Sequence, residues 1–284
     1  MGVVGVVGLG NMGSVLAANL VAAGHELVTH DVAGDTNNPD GARFVPALAD
    51  LARQADVVVL SLPDGSASQR VAETLATAPG RRTTHAVDTS TIGVRAAREV
   101  DEILAAAHIG YVDAPVSGGV AGARARTLNV MYAAPAEACR AVEPVLAGLS
   151  DRRRRVGERP GMAQALKLAN NFLSATALAA TSEAVAFGVS VGLDLATMVE
   201  VLNASSGQSA ATSDKFPNHV VTGRYAAGFA NTLMAKDLAL YLGAVESQGA
   251  PSLLGPVTAA VWEQFAAREP GVDFTRIYPF VEGS

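Results

Sequence analysis

Short runs rich in β-branched residues alternate with alanine-rich segments of helical length through the first half of the chain. This alternation is typical of a parallel β-sheet whose strands are connected by crossover helices. The strands that it predicts are Val3–Val7, Glu26–His30, Val57–Leu60, His85–Val87, Tyr111–Val112 and Leu128–Tyr132. Crossover helices are predicted over Asn11–Ala23, which Gly24 would end, and over Val94–Ala107.

The strand pattern stops after Pro160 and Gly161, and helical periodicity follows. The helices that it predicts are Met162–Val191, Asp194–Ala204, Asn231–Gln248 and Ser252–Ala267. We therefore expect an α/β domain with a doubly wound parallel sheet over residues 1–158 and an all-α domain over residues 159–284. The long helix that starts at Met162 would join the two domains.

Charge and composition exclude several classes of partner. The 284 residues carry a net charge of -6, which leaves no basic surface for nucleic acid. Phe172–Leu193 is apolar enough to resemble a membrane span, but hydroxyl-bearing residues and Glu183 interrupt it, so a buried helix and no membrane partner are expected. The single cysteine, Cys139, and an N-terminus without export features favour a cytoplasmic location.

A glycine-rich segment lies between the first predicted strand and the first predicted helix. Its first glycine permits a tight turn, its second lets a pyrophosphate approach the backbone, and its third lets the helix pack closely. The helix N-terminus adds the positive end of its dipole. We predict a dinucleotide site in a Rossmann-type domain, the alternative being an ordinary glycine-rich turn. The residues of the segment are Gly8, Leu9, Gly10, Asn11, Met12 and Gly13.

Asp31 closes the second predicted strand, roughly twenty residues beyond the glycine-rich segment. A carboxylate at this point can accept hydrogen bonds from the ribose hydroxyls of adenosine, which favours NAD. No Arg or Lys follows before Arg43, so the 2′-phosphate of NADP would meet negative charge without a cation nearby. The expected cofactor is therefore NAD, with NADP disfavoured. The alternative for Asp31 is a residue that only caps a turn.

Lys167 and Asn171 stand four residues apart in the long predicted helix and so share one face. A cation and an amide on one face can converge on a single substrate oxygen. Oxidation of a carbinol requires the hydroxyl to lose its proton, which a lysine amine can accept. An unperturbed lysine has a pKa of about 10.4, so this role needs burial and positive charge, for example from Lys236 or oxidised nicotinamide. Taken alone, the segment also fits a lysine that extends into solvent.

Further segments follow one another in a characteristic order. They are Leu62-Pro63-Asp64, Asp88–Ile92, Asp113–Gly122, Gly161–Asn171 and Lys236-Asp237-Leu238. Together with the glycine-rich segment they resemble the β-hydroxyacid dehydrogenase family, which includes 3-hydroxyisobutyrate dehydrogenase and tartronate semialdehyde reductase within the 6-phosphogluconate dehydrogenase superfamily. The resemblance extends almost from end to end. It implies that Lys167 is the general acid/base and that Asn171 orients the substrate.

The resemblance also implies a substrate-binding role for two other segments. Ser117, Gly118 and Gly119 would hold the substrate carboxylate through a hydroxyl and backbone amides, with a plain glycine-rich turn as the alternative. Lys236 would lie near both the substrate carboxylate and the cofactor, supported by Asp237. A solvent-facing Lys–Asp pair is the alternative there.

Three positions are implied to contact the cofactor outside the glycine-rich segment. Thr91 would touch it beyond a sheet strand, and Leu62 and Pro63 would flank the nicotinamide. The five histidines show no metal-ligand spacing, so no metal is expected.

Arginines are concentrated in two places. Arg152–Arg155 is predicted to be a solvated edge or, alternatively, a contact with a neighbouring subunit. Arg124 and Arg126 are predicted to be surface-loop residues, with recognition of an extra anionic group as the alternative.

The expected function is that of an oxidoreductase that transfers a hydride between NAD and a small β-hydroxy acid similar to 3-hydroxyisobutyrate. Imine reductases share the fold and the glycine-rich segment but generally lack a lysine at the position of Lys167, so they are the enzymatic alternative. A protein that binds NAD without turnover is the other alternative. Abundant small residues in the long helix permit close packing between copies, and a homodimer or homotetramer is expected.

Overall fold

The structure, a computed structural model, describes residues 2–283. The chain divides between Lys167 and Leu168 into two compact units. The first unit contains all the named strands of the described chain, and the second is built from helices. The architecture predicted from the hydrophobic pattern, a parallel α/β sheet followed by a helical region, is thereby confirmed.

Nine strands form one sheet within residues 2–283. They are β1 (Val4–Val7), β2 (Leu27–His30), β3 (Ala42–Phe44), β4 (Val57–Leu60), β5 (His85–Asp88), β6 (Gly110–Asp113), β7 (Val116–Ser117), β8 (Asn129–Ala133) and β9 (Arg152–Gly157). Their order is β3-β2-β1-β4-β5-β6-β8-β7, with β9 paired to β8. Strands β1 to β6 run parallel. The order reverses between β1 and β4, and open α/β sheets bind ligands beyond the carboxyl ends of the strands at such a point.

Helices cover both faces of the sheet. They are α1 (Gly13–Ala22), α2 (Leu48–Gln54), α3 (Gly65–Thr77), α4 (Val94–Ala106), α5 (Gly119–Arg124) and α6 (Ala136–Leu149). Because side chains alternate along a strand, Val4 and Val6 belong to the core beneath α1 and α6, whereas Val7 belongs to the core beneath α2, α3 and α4. Both faces are apolar, which explains why the buried strands lack polar alternation.

The core of the helical unit combines aliphatic side chains with a cluster of aromatic ones. Its helices are α7 (Met162–Ser190), which begins in the first unit, α8 (Leu195–Asn203), a π-helix (Ala211–Val220), α9 (Asn231–Ser247), α10 (Gly255–Arg268), a 3-10 helix (Phe274–Arg276) and α11 (Ile277–Glu282). Trp262 is fully buried against Phe265 and Phe274, and its Nε1 donates a hydrogen bond to the Ala175 carbonyl oxygen at 3.2 Å. This bond joins α10 to α7.

Helix α7 is the one helix in the described part of the chain that is long and apolar enough, by length and composition, to cross a membrane. A core helix of a globular protein can pass the same test. The sequence predicts that this helix is buried. The structure buries only part of its circumference, since Leu173 and Phe187 are 66% and 71% exposed. Helix α7 therefore presents an apolar surface as well as a buried one.

Three strands were not predicted from the hydrophobic pattern: β3, β7 and β9. The helices that it did not specify are α2, α3, α5, α6, α11, the π-helix and the 3-10 helix. Strands β3 and β7 have three and two residues, too few for an alternating pattern to emerge. Strand β9 carries four arginines, which sequence reasoning assigns to a solvated edge. In the structure these arginines form a strand, because β9 pairs in parallel with β8 through the whole arginine run.

Candidate active site

The glycine-rich segment connects β1 to α1. Gly8 has a φ of +94°, and a Cβ atom there would lie 2.2 Å from the Ser61 carbonyl oxygen. A Cβ atom on Gly13 would lie 1.9 Å from the Gly8 carbonyl oxygen. Packing therefore requires both glycines. Gly10 differs, because a Cβ atom there would meet no heavy atom of the described chain within 4 Å and would occupy open space beside the loop.

Asp31 follows β2 and holds the glycine-rich segment in place. One of its carboxylate oxygens accepts a hydrogen bond from the Leu9 N–H at 2.5 Å, and the other accepts one from the Ala33 N–H at 2.7 Å. A carboxylate offers about four acceptor positions, so these two bonds leave capacity for ribose hydroxyls. The open space at Gly10, the amino end of α1 and this carboxylate fit a dinucleotide. Asp31 also caps the turn at Ala33, which was the alternative interpretation.

The loops after β4 and β5 lie at the same edge of the sheet as the glycine-rich segment. The Leu62 N–H donates a hydrogen bond to Ser90 Oγ at 2.8 Å, which joins the two loops. Pro63 follows Leu62, and Thr91 follows Ser90. The structure thus places the three predicted cofactor contacts beyond the carboxyl ends of neighbouring parallel strands.

Ser117 ends β7, where it pairs with Asn129 of β8. Gly118 and Gly119 follow with φ angles of +131° and +65°, a region that favours glycine. A Cβ atom on Gly118 would also lie 3.1 Å from the side chain of Leu128. The chain therefore turns sharply after a half-buried serine hydroxyl, and no bulky side chain follows it.

Lys167 lies in the second turn of α7 and is only 7% exposed. The alternative that its side chain extends into solvent is therefore wrong. Burial is the first of the two conditions that a lysine base requires. Asn171, one helical turn later, is 5% exposed.

In the helical unit, Asn171 is held by a residue of α9. Its Nδ2 donates a hydrogen bond to Asp237 Oδ2 at 2.6 Å. Asp237 is buried, and its Oδ1 lies 3.3 Å from Lys236 Nζ. The alternative of a solvent-facing Lys–Asp pair is therefore wrong for Asp237, which is buried. Through its contacts with both residues, Asp237 connects Asn171, the predicted substrate-orienting amide, to Lys236.

Two carboxylates lie side by side where β5 and β6 end. Asp88 and Asp113 are register partners, and both are fully buried. Burial raises the pKa of Asp88, and it raises the pKa of Asp113 to about 6 although Gln164 and Gly161 donate hydrogen bonds that lower it. Burial and the neighbouring carboxylates raise the pKa of Tyr111. Within residues 2–283, no group of three His, Cys, Asp or Glu residues could hold a metal ion.

Gln164 is the residue of this region that sequence reasoning missed. It lies within the Gly161–Asn171 segment, three residues before Lys167, and it is completely buried. An amide in the first turn of a long apolar helix is the signal that could have identified it, because such a group requires buried partners.

Comparison with known proteins places these features in a family. The model for the NAD binding domain of 6-phosphogluconate dehydrogenase matches residues 3–157. The model for the NAD-binding domain of NADP-dependent 3-hydroxyisobutyrate dehydrogenase matches residues 161–281. The two matches together cover nearly the whole chain and confirm a nicotinamide dinucleotide as cofactor.

Individual relatives agree with the family models. The chain is 35% identical to 3-hydroxyisobutyrate dehydrogenase from Pseudomonas aeruginosa, over 97% of each protein. It superimposes on the solved structure of Mycobacterium tuberculosis 3-hydroxyisobutyrate dehydrogenase with L-serine, with a TM-score of 0.92, 32% identity and 99% of each chain covered. An imine reductase from Pseudomonas sp. shares the fold alone, with 18% identity, 98% of each chain covered and a TM-score of 0.65. The chain belongs to the 3-hydroxyisobutyrate dehydrogenase branch of the β-hydroxyacid dehydrogenase family.

Proposed function

We propose that the protein transfers a hydride between NAD and a small β-hydroxy acid similar to 3-hydroxyisobutyrate. The observation that carries this proposal is the burial of Lys167 at 7% exposure in α7, one turn before Asn171. Burying an ammonium costs free energy unless it is paired and hydrogen-bonded, so lysines are seldom buried without a structural or catalytic role. The lysine also disfavours imine reductase chemistry, and those enzymes are the more distant structural relatives.

The proposed chemistry divides between the cofactor and the chain. Bound NAD supplies the hydride acceptor. Lys167 takes the proton of the substrate hydroxyl during oxidation and returns it to the oxygen during reduction. Asn171 orients that oxygen, and the 2.6 Å bond to Asp237 fixes the plane of its amide.

Substrate selection rests on an anion site. We assign the substrate carboxylate to the Ser117 hydroxyl and to the backbone amides of Gly118 and Gly119, whose positive φ angles favour glycine. Lys236 adds a positive charge for the carboxylate and for the cofactor. A hydroxyl on the β-carbon of the acid would then be the group presented to Lys167.

Within the nicotinamide cofactors, the proposal favours NAD over NADP. Asp31 would accept hydrogen bonds from the adenosine ribose, and the next cationic side chain is Arg43. The amides of Gly8–Gly13 and the amino end of α1 would hold the pyrophosphate. Leu62, Pro63 and Thr91 would contact the nicotinamide half.

The proposed division of labour follows the domains. Residues 1–158 would bind the dinucleotide, and residues 159–284 would shape the substrate site and associate with further copies. Exposed apolar residues of the helical unit support a homodimer or homotetramer, among them Phe187, Val191, Val201 and Leu253. A monomeric mass in light scattering would contradict this assembly. We also propose a cytoplasmic location, which the single, free and buried cysteine Cys139 supports.

Absorbance of reduced nicotinamide tests the function directly. The protein would be mixed with NAD and, in separate reactions, with 3-hydroxyisobutyrate, serine, glycerate and threonate. We expect turnover with at least one of these acids and a lower KM for NAD than for NADP. Binding of NAD without turnover on any acid would overturn the proposal and favour a sensor.

A further inference from the structure

The first turn of α7 is held by one buried carboxylate. Asp113 Oδ2 accepts hydrogen bonds from the Gly161 N–H at 2.9 Å and from the Gln164 N–H at 3.1 Å. The N–H groups at the start of a helix have no partner within the helix, so Asp113 caps α7 from the end of β6. Its negative charge also lies at the positive end of the helix dipole.

The side chain of Gln164 extends this contact to the loop after β5. Its Nε2 donates to Asp113 Oδ1 at 2.8 Å and to the Ser90 carbonyl oxygen at 3.0 Å. Its Oε1 accepts from the N–H groups of Ile92 and Gly93 at 2.9 and 3.0 Å. An amide has two donor hydrogens and two acceptor lone pairs, and all four are used here.

These bonds connect two parts of the proposed reaction site. The loop that Gln164 holds, residues 90–93, includes Thr91, which we assign to the cofactor. The helix turn that carries Gln164 leads to Lys167 three residues later. Because a helix is rigid over one turn, the bonds of Gln164 set the position of the lysine relative to the cofactor loop.

We propose that Gln164 and Asp113 are positioning residues that fix Lys167 against the cofactor loop. This inference rests on the proposed role of Lys167. Neither side chain needs to touch the substrate. Catalysis depends on placement, since a displacement of about 1 Å can cost on the order of 100-fold in rate.

The donor and acceptor roles of Asp113 and Gln164 can be swapped between the two positions. Asp113 presents acceptors and Gln164 presents a donor, and the reciprocal pair Asp113→Asn with Gln164→Glu would place the donor at position 113 and the acceptor at position 164. The net charge stays the same. The exchange preserves the acceptors for Gly161, Ile92 and Gly93, whereas the Ser90 carbonyl loses its donor, so recovery would be partial.

The test begins with Gln164→Met, which keeps the side-chain length, removes the amide and leaves both backbone bonds to Asp113 in place. We expect kcat to fall by about 10- to 100-fold while KM for NAD changes by less than about threefold, because placement is lost and the glycine-rich segment is untouched. Asp56→Asn is the matched control, since Asp56 also accepts a backbone N–H, from Val3 at 2.9 Å, at the opposite end of the sheet. Its kcat should equal that of the unaltered protein.

Asp113→Asn, Gln164→Glu and the reciprocal double variant complete the series. Each single variant should have a lower kcat than the unaltered protein. The kcat of the double variant should exceed that of the less active single variant by at least about tenfold, which would not happen if the two residues acted independently. A single variant that does not fold, rescued to a folded double variant, supports the pairing in the same way. Additive losses in the double variant, or unchanged kcat in a folded Gln164→Met variant, would overturn the proposal.

A second readout separates this inference from the proposed function. Amine acetylation of Lys167, followed by mass spectrometry, measures how the buried amine is held without any turnover. Gln164→Met should raise its labelling rate at least about fivefold, and Asp56→Asn should not. If the unaltered protein turns over no acid, the proposed function fails, and the labelling rates still decide whether Gln164 positions the lysine. Equal labelling rates in all three proteins would overturn the inference.

Discussion

The two ends of the parallel sheet treat their carboxylates in opposite ways. At the carboxyl end, Asp88 and Asp113 are completely buried, and Asp113 accepts bonds from two N–H groups of another element. At the amino end, Asp56 remains 28% exposed in its side chain and pairs with Arg82, which is 57% exposed. Both ends therefore use a carboxylate to collect backbone N–H groups, but only one end removes the charge from water.

This difference shows what each end contributes. Asp56 joins the starts of β1 and β4 through the Val3 N–H, and water screens its pair with Arg82, so this carboxylate costs little to hold in place. Burial of Asp113 raises the pKa of its carboxyl group, and the same buried carboxylate fixes the start of α7. If the carboxyl end is the functional end, substitutions there should change turnover, and substitutions at the amino end should change stability alone.

The largest effect is expected at the residue that the carboxyl end positions. Lys167→Ala should lower kcat by about 10²- to 10⁴-fold, because proton transfer by a placed side chain contributes roughly that much. NAD binding, measured by fluorescence titration, should persist. Lys215→Ala is the matched control, since Lys215 is ion-paired to Asp214 in the π-helix, and its kcat should not change. Near-normal turnover of Lys167→Ala would remove the functional distinction between the two ends.

The next largest effect concerns pH and Asp113. Its folded pKa of about 6 lies above the ordinary value of 3.8, so the folded protein holds this proton more tightly than the unfolded chain. Its contribution to the free energy of unfolding is therefore greatest below pH 3.8 and is lost as the pH rises through 6, by about 3 kcal/mol in all, of which about 2 kcal/mol falls between pH 4 and pH 7. Urea unfolding between pH 4 and pH 7 should show this fall in the unaltered protein and a flatter profile in Asp113→Asn. Identical slopes would contradict it.

A smaller effect is expected at Asp31, the more accessible carboxylate of the carboxyl end. Asp31→Asn removes the negative charge that would oppose a 2′-phosphate and weakens the bonds to ribose. The ratio of kcat/KM for NAD to that for NADP should fall by about tenfold, equivalent to about 1.4 kcal/mol. Asp35→Asn, an exposed carboxylate in the same loop, serves as control and should leave the ratio unchanged.

The smallest effect is expected at the amino end. Asp56→Asn should lower the free energy of unfolding by about 1 kcal/mol, because one hydrogen bond to Val3 and one surface ion pair are weakened. Chemical denaturation would measure the loss, and steady-state assays should show unchanged kcat and KM. A fall in kcat here would show that the two ends are not separable.

Much of the fold could be predicted because local patterns and long-range packing agree. Strands β1, β4 and β5 are short β-branched runs with glycine-rich or polar loops after them, so their positions were predicted to within a residue or two. The glycine-rich segment was predicted for the same reason: Gly8 and Gly13 satisfy contacts with adjacent elements that every nucleotide-binding turn of this kind must make.

The rest depends on contacts between distant parts of the chain. Apart from its own helix, Gln164 bonds to residues that are 51 to 74 positions away in the described chain, and no local pattern encodes such partners. The separation of 51 residues to Asp113 is set by the crossing of several elements. The burial of Lys167 likewise follows from packing, which is why its segment alone favoured a surface lysine.

Strand β9 has a consequence for how concentrated solutions of this protein behave. It pairs with β8 on one side, and Arg152 and Arg154 are exposed along it. Edge strands can recruit a strand of another molecule and so extend the sheet into an aggregate. Two β9 strands brought together would set arginines about 5 Å apart, each pair repelling by roughly 1 kcal/mol in water. Repulsion at successive positions therefore limits growth of the sheet from molecule to molecule.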